Sequence, residues 1–131
     1  MTTRFLAILA LTGSLAGALA AGPALAHHSA SMFDRANEVR LVGVIKELQW
    51  TNPHAWIEMD VPTAAGKSTQ WSVELDSPNI LARYGWTSST IRPGDHVTIT
   101  CHPLKDGRPG GSYVSINLPD GKVLGRLRAP S

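Results

Sequence analysis

Two adjacent histidines, His27 and His28, directly follow a run of small residues that a signal peptidase could cut. If cleavage falls after Ala26, the new first residue, His27, carries both an α-amine and an imidazole. These two nitrogens can close a chelate ring on a metal ion, because the amine loses its proton near neutral pH. An amine and two imidazoles form a nitrogen-donor set that Cu(II) accepts in a square-planar or tetragonal array. The sequence therefore predicts a metal site with copper as the favoured cofactor. The alternative is that both histidines are solvated and bind nothing.

His54 is a candidate third metal ligand. It lies in the segment TNPHA between Trp50 and Trp56, at the predicted turn into the second strand. Strand alternation places His54 on the outward face together with Trp56, and either tryptophan could shield a bound ion or make a cation–π contact with it. The alternative is that the two tryptophans only cover one end of the fold and His54 caps the turn.

The sulfur-containing side chains have different expected roles. Met32 offers a thioether, a ligand that favours Cu(I), and its neighbour Phe33 is expected to pin the N-terminal segment to the folded domain. Met59 and Cys101, the single cysteine, are expected in the core because they share the inward parity of their strands.

Catalytic residues are not assigned, and an enzymatic role is not expected, although that question stays open. The chain has no nucleophile elbow, zinc-protease helix, P-loop or dinucleotide fingerprint. Outward carboxylates such as Glu58 and Glu74 could form an acid–base pair across neighbouring strands, and an enzyme that uses them is a third hypothesis, but such charges are routine on the exposed face of strands. Arg108 with Gly110 and Gly111 could form an anion-binding nest, but the segment is interpreted as a turn-rich loop.

The first 26 residues have the pattern of a secretory signal peptide, with Arg4 before an apolar run and small residues before the cut. We therefore predict export to the periplasm, with no membrane anchor after processing. The predicted organisation is a signal peptide over 1–26, an N-terminal arm over 27–37, a barrel domain over 38–125 and a disordered tail over 126–131.

The elements that must position these residues are short strands around one helix. Alternating apolar residues predict strands over 38–50, 55–61, 70–75, 96–101, 112–118 and 123–124. Gly43 is expected to form a bulge or a coiling point in the long first strand, and Val114, Ile116 and Leu118 are expected to share the inward face of the fifth. Ser77 and Pro78 predict the start of a helix that Gly85 ends. This order predicts an all-β, OB-like barrel of five to six strands with one short helix between strands 3 and 4, with an open sandwich as the alternative.

Composition limits the size and the partners. The chain has 131 residues, 43% hydrophobic and 17% charged, with a net charge of +2, which fits one domain. Because this charge is small, we expect no nucleic-acid partner. A periplasmic protein partner is possible, and the oligomeric state stays open. The competing function is a non-catalytic adaptor that binds a peptide, glycan or protein through a tryptophan-rich face formed by Trp50, Trp56, Trp71 and Trp86.

The chain resembles a family of small exported bacterial proteins classed as a domain of unknown function. The resemblance covers nearly the whole mature chain and rests on the segments HHSASMFD (27–34), LQWTNPHAW (48–56), WSVEL (71–75), SPNILARYGW (77–86), RPGDHV (92–97) and HPLKDG (102–107). It implies no established activity. A looser likeness, of fold alone, is to small periplasmic copper-binding barrels that use His, Met and Trp.

Overall fold

The computed structural model describes residues 31–125, which form six strands and one short α-helix. The strands are β1 (Val39–Gln49), β2 (Trp56–Pro62), β3 (Ser68–Glu74), β4 (His96–Pro103), β5 (Gly110–Asn117) and β6 (Val123–Gly125). The helix α1 (Pro78–Arg83) connects β3 to β4, and one 3₁₀ turn (Ala64–Gly66) lies in the β2–β3 connection. The predicted signal peptide, His27, His28 and the predicted tail lie outside the described residues.

The strands close into a barrel. Their order is β3-β2-β1-β4-β5-β6, with antiparallel neighbours, and a parallel pairing of β3 with β5 joins the two ends. Ser72 is the register partner of Gly110 in that closing pair. Five strands therefore form the closed barrel and β6 adds a sixth strand along β5. The predicted OB-like barrel, with its helix between strands 3 and 4, is confirmed.

Strand β1 pairs with two neighbouring strands. Its N-terminal part pairs with β4, and its C-terminal part pairs with β2. The predicted bulge at Gly43 is wrong, because the irregularity against β2 falls between Ile45 and Glu47. Gly43 instead marks a close approach of two backbones: a Cβ atom there would overlap the carbonyl oxygen of Asp60 and lie 3.0 Å from Met59 Cε.

The core fills the barrel and extends under α1. Trp86 is 1% exposed, and its ring meets that of Tyr113 edge to face, with centroids 5.6 Å apart. Trp86 therefore does not belong to an exposed tryptophan face, and that part of the adaptor hypothesis is wrong. Ser77 precedes the helix as predicted, but its side chain makes no capping hydrogen bond. Met59 and Cys101 are fully buried, as predicted.

The inward face of β5 differs from the prediction. The pairing of β4 with β5 shifts register between Thr100 and Cys101, which are the partners of Ser115 and Tyr113. This shift skips Val114, so Tyr113 and Ile116 point into the core while Val114 is only half-buried. Alternation alone could not reveal the skipped residue.

The N-terminal arm docks on the barrel through Phe33. This side chain is 5% exposed and forms an isolated antiparallel bridge with Leu104. The backbone N–H of Asp34 donates to the carbonyl of Pro103 over 2.8 Å, and that of Lys105 donates to the carbonyl of Met32 over 3.0 Å. The expectation that Phe33 pins the arm is confirmed. Within residues 31–125, no helix has both the length and the apolar character needed to span a bilayer.

Candidate functional site at the start of strand β2

The turn that carries His54 is tied to the end of β3. The backbone N–H of Ala55 donates to the carbonyl of Asp76 over 3.1 Å, and the N–H of Leu75 donates to the carbonyl of Ala55 over 2.9 Å. The hydroxyl of Thr51 closes the turn by donating to the carbonyl of His54 over 3.2 Å. These bonds fix the backbone of His54 beside the last residues of β3.

The His54 imidazole has a defined orientation. Its Nδ1 lies 2.8 Å from the carbonyl oxygen of Leu75. Because a carbonyl can only accept, Nδ1 carries the proton and donates it. In the neutral ring, Nε2 then holds the lone pair. The Glu74 carboxylate lies 3.5 Å from the same Nδ1, with a side chain only 13% exposed against 43% for His54. The ring is therefore held from the barrel side and open to solvent.

Trp56 lies next to this histidine on the outer face of the barrel. It is the first residue of β2, is half-buried, and is the register partner of Glu74 on β3. Further along the same face, the hydroxyl of Ser72 and the amide of Gln70 donate to the two carboxylate oxygens of Glu58. The polar network keeps this face of β2 and β3 ordered.

A cleft of about 340 Å³ separates this face from the docked arm. It is lined by Met32 and Phe33 of the arm, by Trp56 and Ser72 of the barrel, and by residues of the β4–β5 connection and the start of β5. Met32 is 39% exposed. The arm therefore brings a thioether to the same cleft as a tryptophan that lies two residues after His54.

The predicted site residues divide into two groups. His54, Trp56 and Met32 lie at one end of the barrel, whereas Trp50 is half-buried against the core at the end of β1. His27 and His28 lie outside the described residues. Within residues 31–125, no group of three or more His, Cys, Asp or Glu side chains could hold a metal ion.

Two residues of this region were not singled out as site residues by the sequence analysis. Glu74 approaches His54, and Arg108 lines the cleft. Alternation in β3 places Glu74 outward, but the turn register that brings it to His54 is not visible in the sequence. Arg108 belongs to a loop whose conformation depends on an aspartate two residues earlier.

The closed strand order defines a small OB-type barrel, and the anchored histidine and the adjacent cleft form a candidate surface site at the start of β2. The chain belongs to the family described as "Family of unknown function (DUF6152)", which matches residues 16–113. No curated protein matches the chain.

Two crystal structures of the mitochondrial single-stranded DNA binding protein Rim1 from S. cerevisiae are similar to the fold. Each has a TM-score of 0.49, with sequence identities of 14% and 12%. Each alignment covers 63% of this chain and 93% or 92% of the other. The likeness concerns the fold and assigns no ligand to this chain.

The expectation that nucleic acid is excluded as a partner is wrong as an inference from net charge, although the neighbours named as single-stranded DNA binding proteins share only the fold with this chain. Net charge was an insufficient ground for that exclusion. Single strands bind by stacking bases on aromatic side chains along a locally charged groove, which a net charge of +2 does not forbid.

Proposed function

We propose that the protein is an exported periplasmic barrel that binds copper for sequestration or delivery. The α-amine and imidazole of His27 are the primary ligands, and His28 and His54 are the further ligands. The observation that carries this proposal is the anchored imidazole of His54. Export is supported by the signal-peptide pattern of residues 1–26, whose removal creates the chelating N-terminus.

The hydrogen bond of His54 is the arrangement that metal-ligating histidines use. Such residues commonly donate their second ring nitrogen to a backbone carbonyl or a carboxylate, which fixes the tautomer and the orientation of the ring. His54 donates from Nδ1 to Leu75, with Glu74 at 3.5 Å. The Nε2 lone pair is therefore available to a metal, and the neighbouring carboxylate favours a cation electrostatically.

The docked arm limits how far His27 can lie from this imidazole. Met32 and Trp56 line one cleft. His27 lies five positions before Met32 in the chain, a reach of about 17 Å when the chain is extended. Trp56 follows His54 by two residues, about 7 Å along a strand. The chelating N-terminus is therefore tethered within reach of His54. His27 and His28 would supply the further ligand nitrogens, because residues 31–125 hold no group of three or more His, Cys, Asp or Glu side chains that could bind a metal.

The direct test is a Cu(II) titration of processed protein whose mass shows that it begins at His27. The matched control is the same protein acetylated at the His27 α-amine, which keeps the imidazole but turns the amine into an amide. We expect tight 1:1 binding to the first protein and much weaker binding to the second, with equal circular dichroism spectra. Equal affinities for both proteins would contradict the proposal.

A second candidate function is a non-catalytic adaptor for a periplasmic peptide, glycan or protein. The observation that favours it is that Trp50 and Trp56, on either side of the turn, are both only half-buried. Capture of a partner from periplasmic extract by the wild type, but not by a folded Trp56→Ala variant, would support it. Equal capture by both proteins would show that Trp56 does not take part in binding the partner.

A further inference from the structure

The cleft between the arm and the barrel has apolar walls and a single charged side chain. Among its lining residues, only Arg108 carries a charge. We infer that this cleft binds a small organic carboxylate, whose apolar body lies against Trp56, Met32 and Phe33 and whose carboxylate pairs with Arg108. This inference is independent of the copper proposal, because it uses neither histidine nor metal.

The size and walls of the cleft fit a compact apolar body. Its volume of about 340 Å³ is in the lower part of the range of small-molecule sites. Trp56 offers a partly exposed ring, and Met32 offers a flexible thioether that adapts to irregular shapes. Leu104 and Pro109 add to the apolar lining.

The Arg108 side chain is 70% exposed and pairs with Asp106 through the Nε edge of its guanidinium. Its Nε donates to Asp106 Oδ2 over 2.7 Å, and its backbone N–H donates to Asp106 Oδ1 over 3.0 Å. These hydrogen bonds hold the pKa of Asp106 below its ordinary value, so that this carboxylate stays charged. Asp106 occupies one edge of the planar guanidinium, and the terminal nitrogens can still form a bidentate pair with a carboxylate.

The polar groups around the cleft bear on whether it binds a carboxylate or an amine. The Ser72 hydroxyl already donates to Glu58, so recognition of the ligand charge depends on Arg108. Glu58 and Glu74, on the adjacent outer face, would instead attract an amine. An organic amine is therefore the competitor that the experiment must exclude.

A ligand in this cleft would also link the arm to the barrel. Met32 and Phe33 come from the arm, whereas Trp56, Ser72 and Arg108 come from the barrel. A molecule that contacts both sides binds only the docked state, so it stabilises the arm against detachment.

The test uses metal-free mature protein in EDTA and follows the indole N–H signals by NMR, with the Trp56 signal assigned from Trp56→Phe. The probes are phenylacetate and hexanoate as carboxylates, phenethyl alcohol and phenethylamine as neutral and cationic analogues, and acetate and inorganic phosphate as anions without an apolar body. We expect saturable shifts of the Trp56 signal with at least one of the first two probes. The alcohol and the amine should bind at least about tenfold more weakly, as expected for loss of a charged hydrogen bond.

Two exposed arginines provide the matched variants. Arg108→Gln should weaken binding of the carboxylate about tenfold, whereas Arg40→Gln, on β1 and outside the cleft, should leave it unchanged. The inference is overturned if neither carboxylate binds, if the amine or alcohol binds as well, or if Arg108→Gln has no more effect than Arg40→Gln.

Discussion

His54 donates a hydrogen bond from Nδ1 to the carbonyl oxygen of Leu75 over 2.8 Å. The bond joins the β1–β2 turn to the end of β3, two segments that are 21 residues apart in the chain. The bond holds the turn in place, and in the neutral ring it leaves the lone pair on Nε2.

The structural consequence is tested by His54→Ala. Loss of the Nδ1–Leu75 bond should lower the free energy of unfolding by about 1 kcal/mol, the typical net value of one hydrogen bond. His96→Ala is the control, because His96 is exposed at the start of β4. Urea denaturation measures both, and an equal effect of the two substitutions would contradict the assigned role of the bond.

Substitution of Gly43 tests whether β1 and β2 must approach closely at this position. Gly43→Ala places a methyl group against the Asp60 carbonyl and 3.0 Å from Met59 Cε, where backbone cannot yield easily. We expect a loss of about 3 kcal/mol or more in the free energy of unfolding. Its neighbour Val42 is 58% exposed, so Val42→Ala should change stability by less than about 0.5 kcal/mol. A stable Gly43→Ala protein would show that the strands can separate at this point.

Tyr113 tests the attachment of β6 to the barrel. Its hydroxyl donates to the carbonyl of Leu124 over 2.8 Å, in a buried position. Tyr113→Phe leaves that carbonyl without this donor and should cost about 1–3 kcal/mol. Tyr84→Phe, at a half-buried ring beside α1, should cost much less. Thermal unfolding of both variants provides the comparison, and similar melting temperatures would refute the role given to the Tyr113 hydroxyl.

The buried thiol of Cys101 should make the free energy of unfolding depend on pH in the alkaline range. Burial raises the pKa of its thiol from 9.0 to about 11. The unfolded thiol therefore ionises first, so this contribution to stability is complete below about pH 9 and is lost as pH rises towards 11. Between these limits the wild type should lose about 2–3 kcal/mol more than Cys101→Ser. Urea denaturation from pH 8 to 11 measures this difference, and parallel curves for the two proteins would contradict it.

Much of the barrel was predictable from local pattern. The alternation in 55–61 identified the inward residues Ile57 and Met59, and the Ser77-Pro78 pair located the start of the helix. Both signals depend on neighbours in sequence. The skipped Val114 and the close contact at Gly43 depend on a second strand, so neither could be located from alternation within one segment.

The candidate site was predictable in its residue types but not in its contacts. The segment between Trp50 and Trp56 identified His54 as an outward imidazole, and Phe33 was identified as the anchor of the arm. The acceptor on Leu75, the nearby Glu74 and the cleft beside Arg108 arise where distant segments meet. Such contacts depend on the register of the closed barrel, which no single segment specifies.

The central claim is that the freed amine of His27 and the imidazole of His54 bind the same copper ion. A double-mutant cycle tests it most directly, by measuring Cu(II) dissociation constants for four proteins whose His27 α-amine is either free or acetylated, each with His54 or His54→Ala. We predict that each change weakens binding and that the combined loss differs from the sum, because two ligands of one ion are coupled. Purely additive losses, or an affinity that is indifferent to His54, would contradict the account.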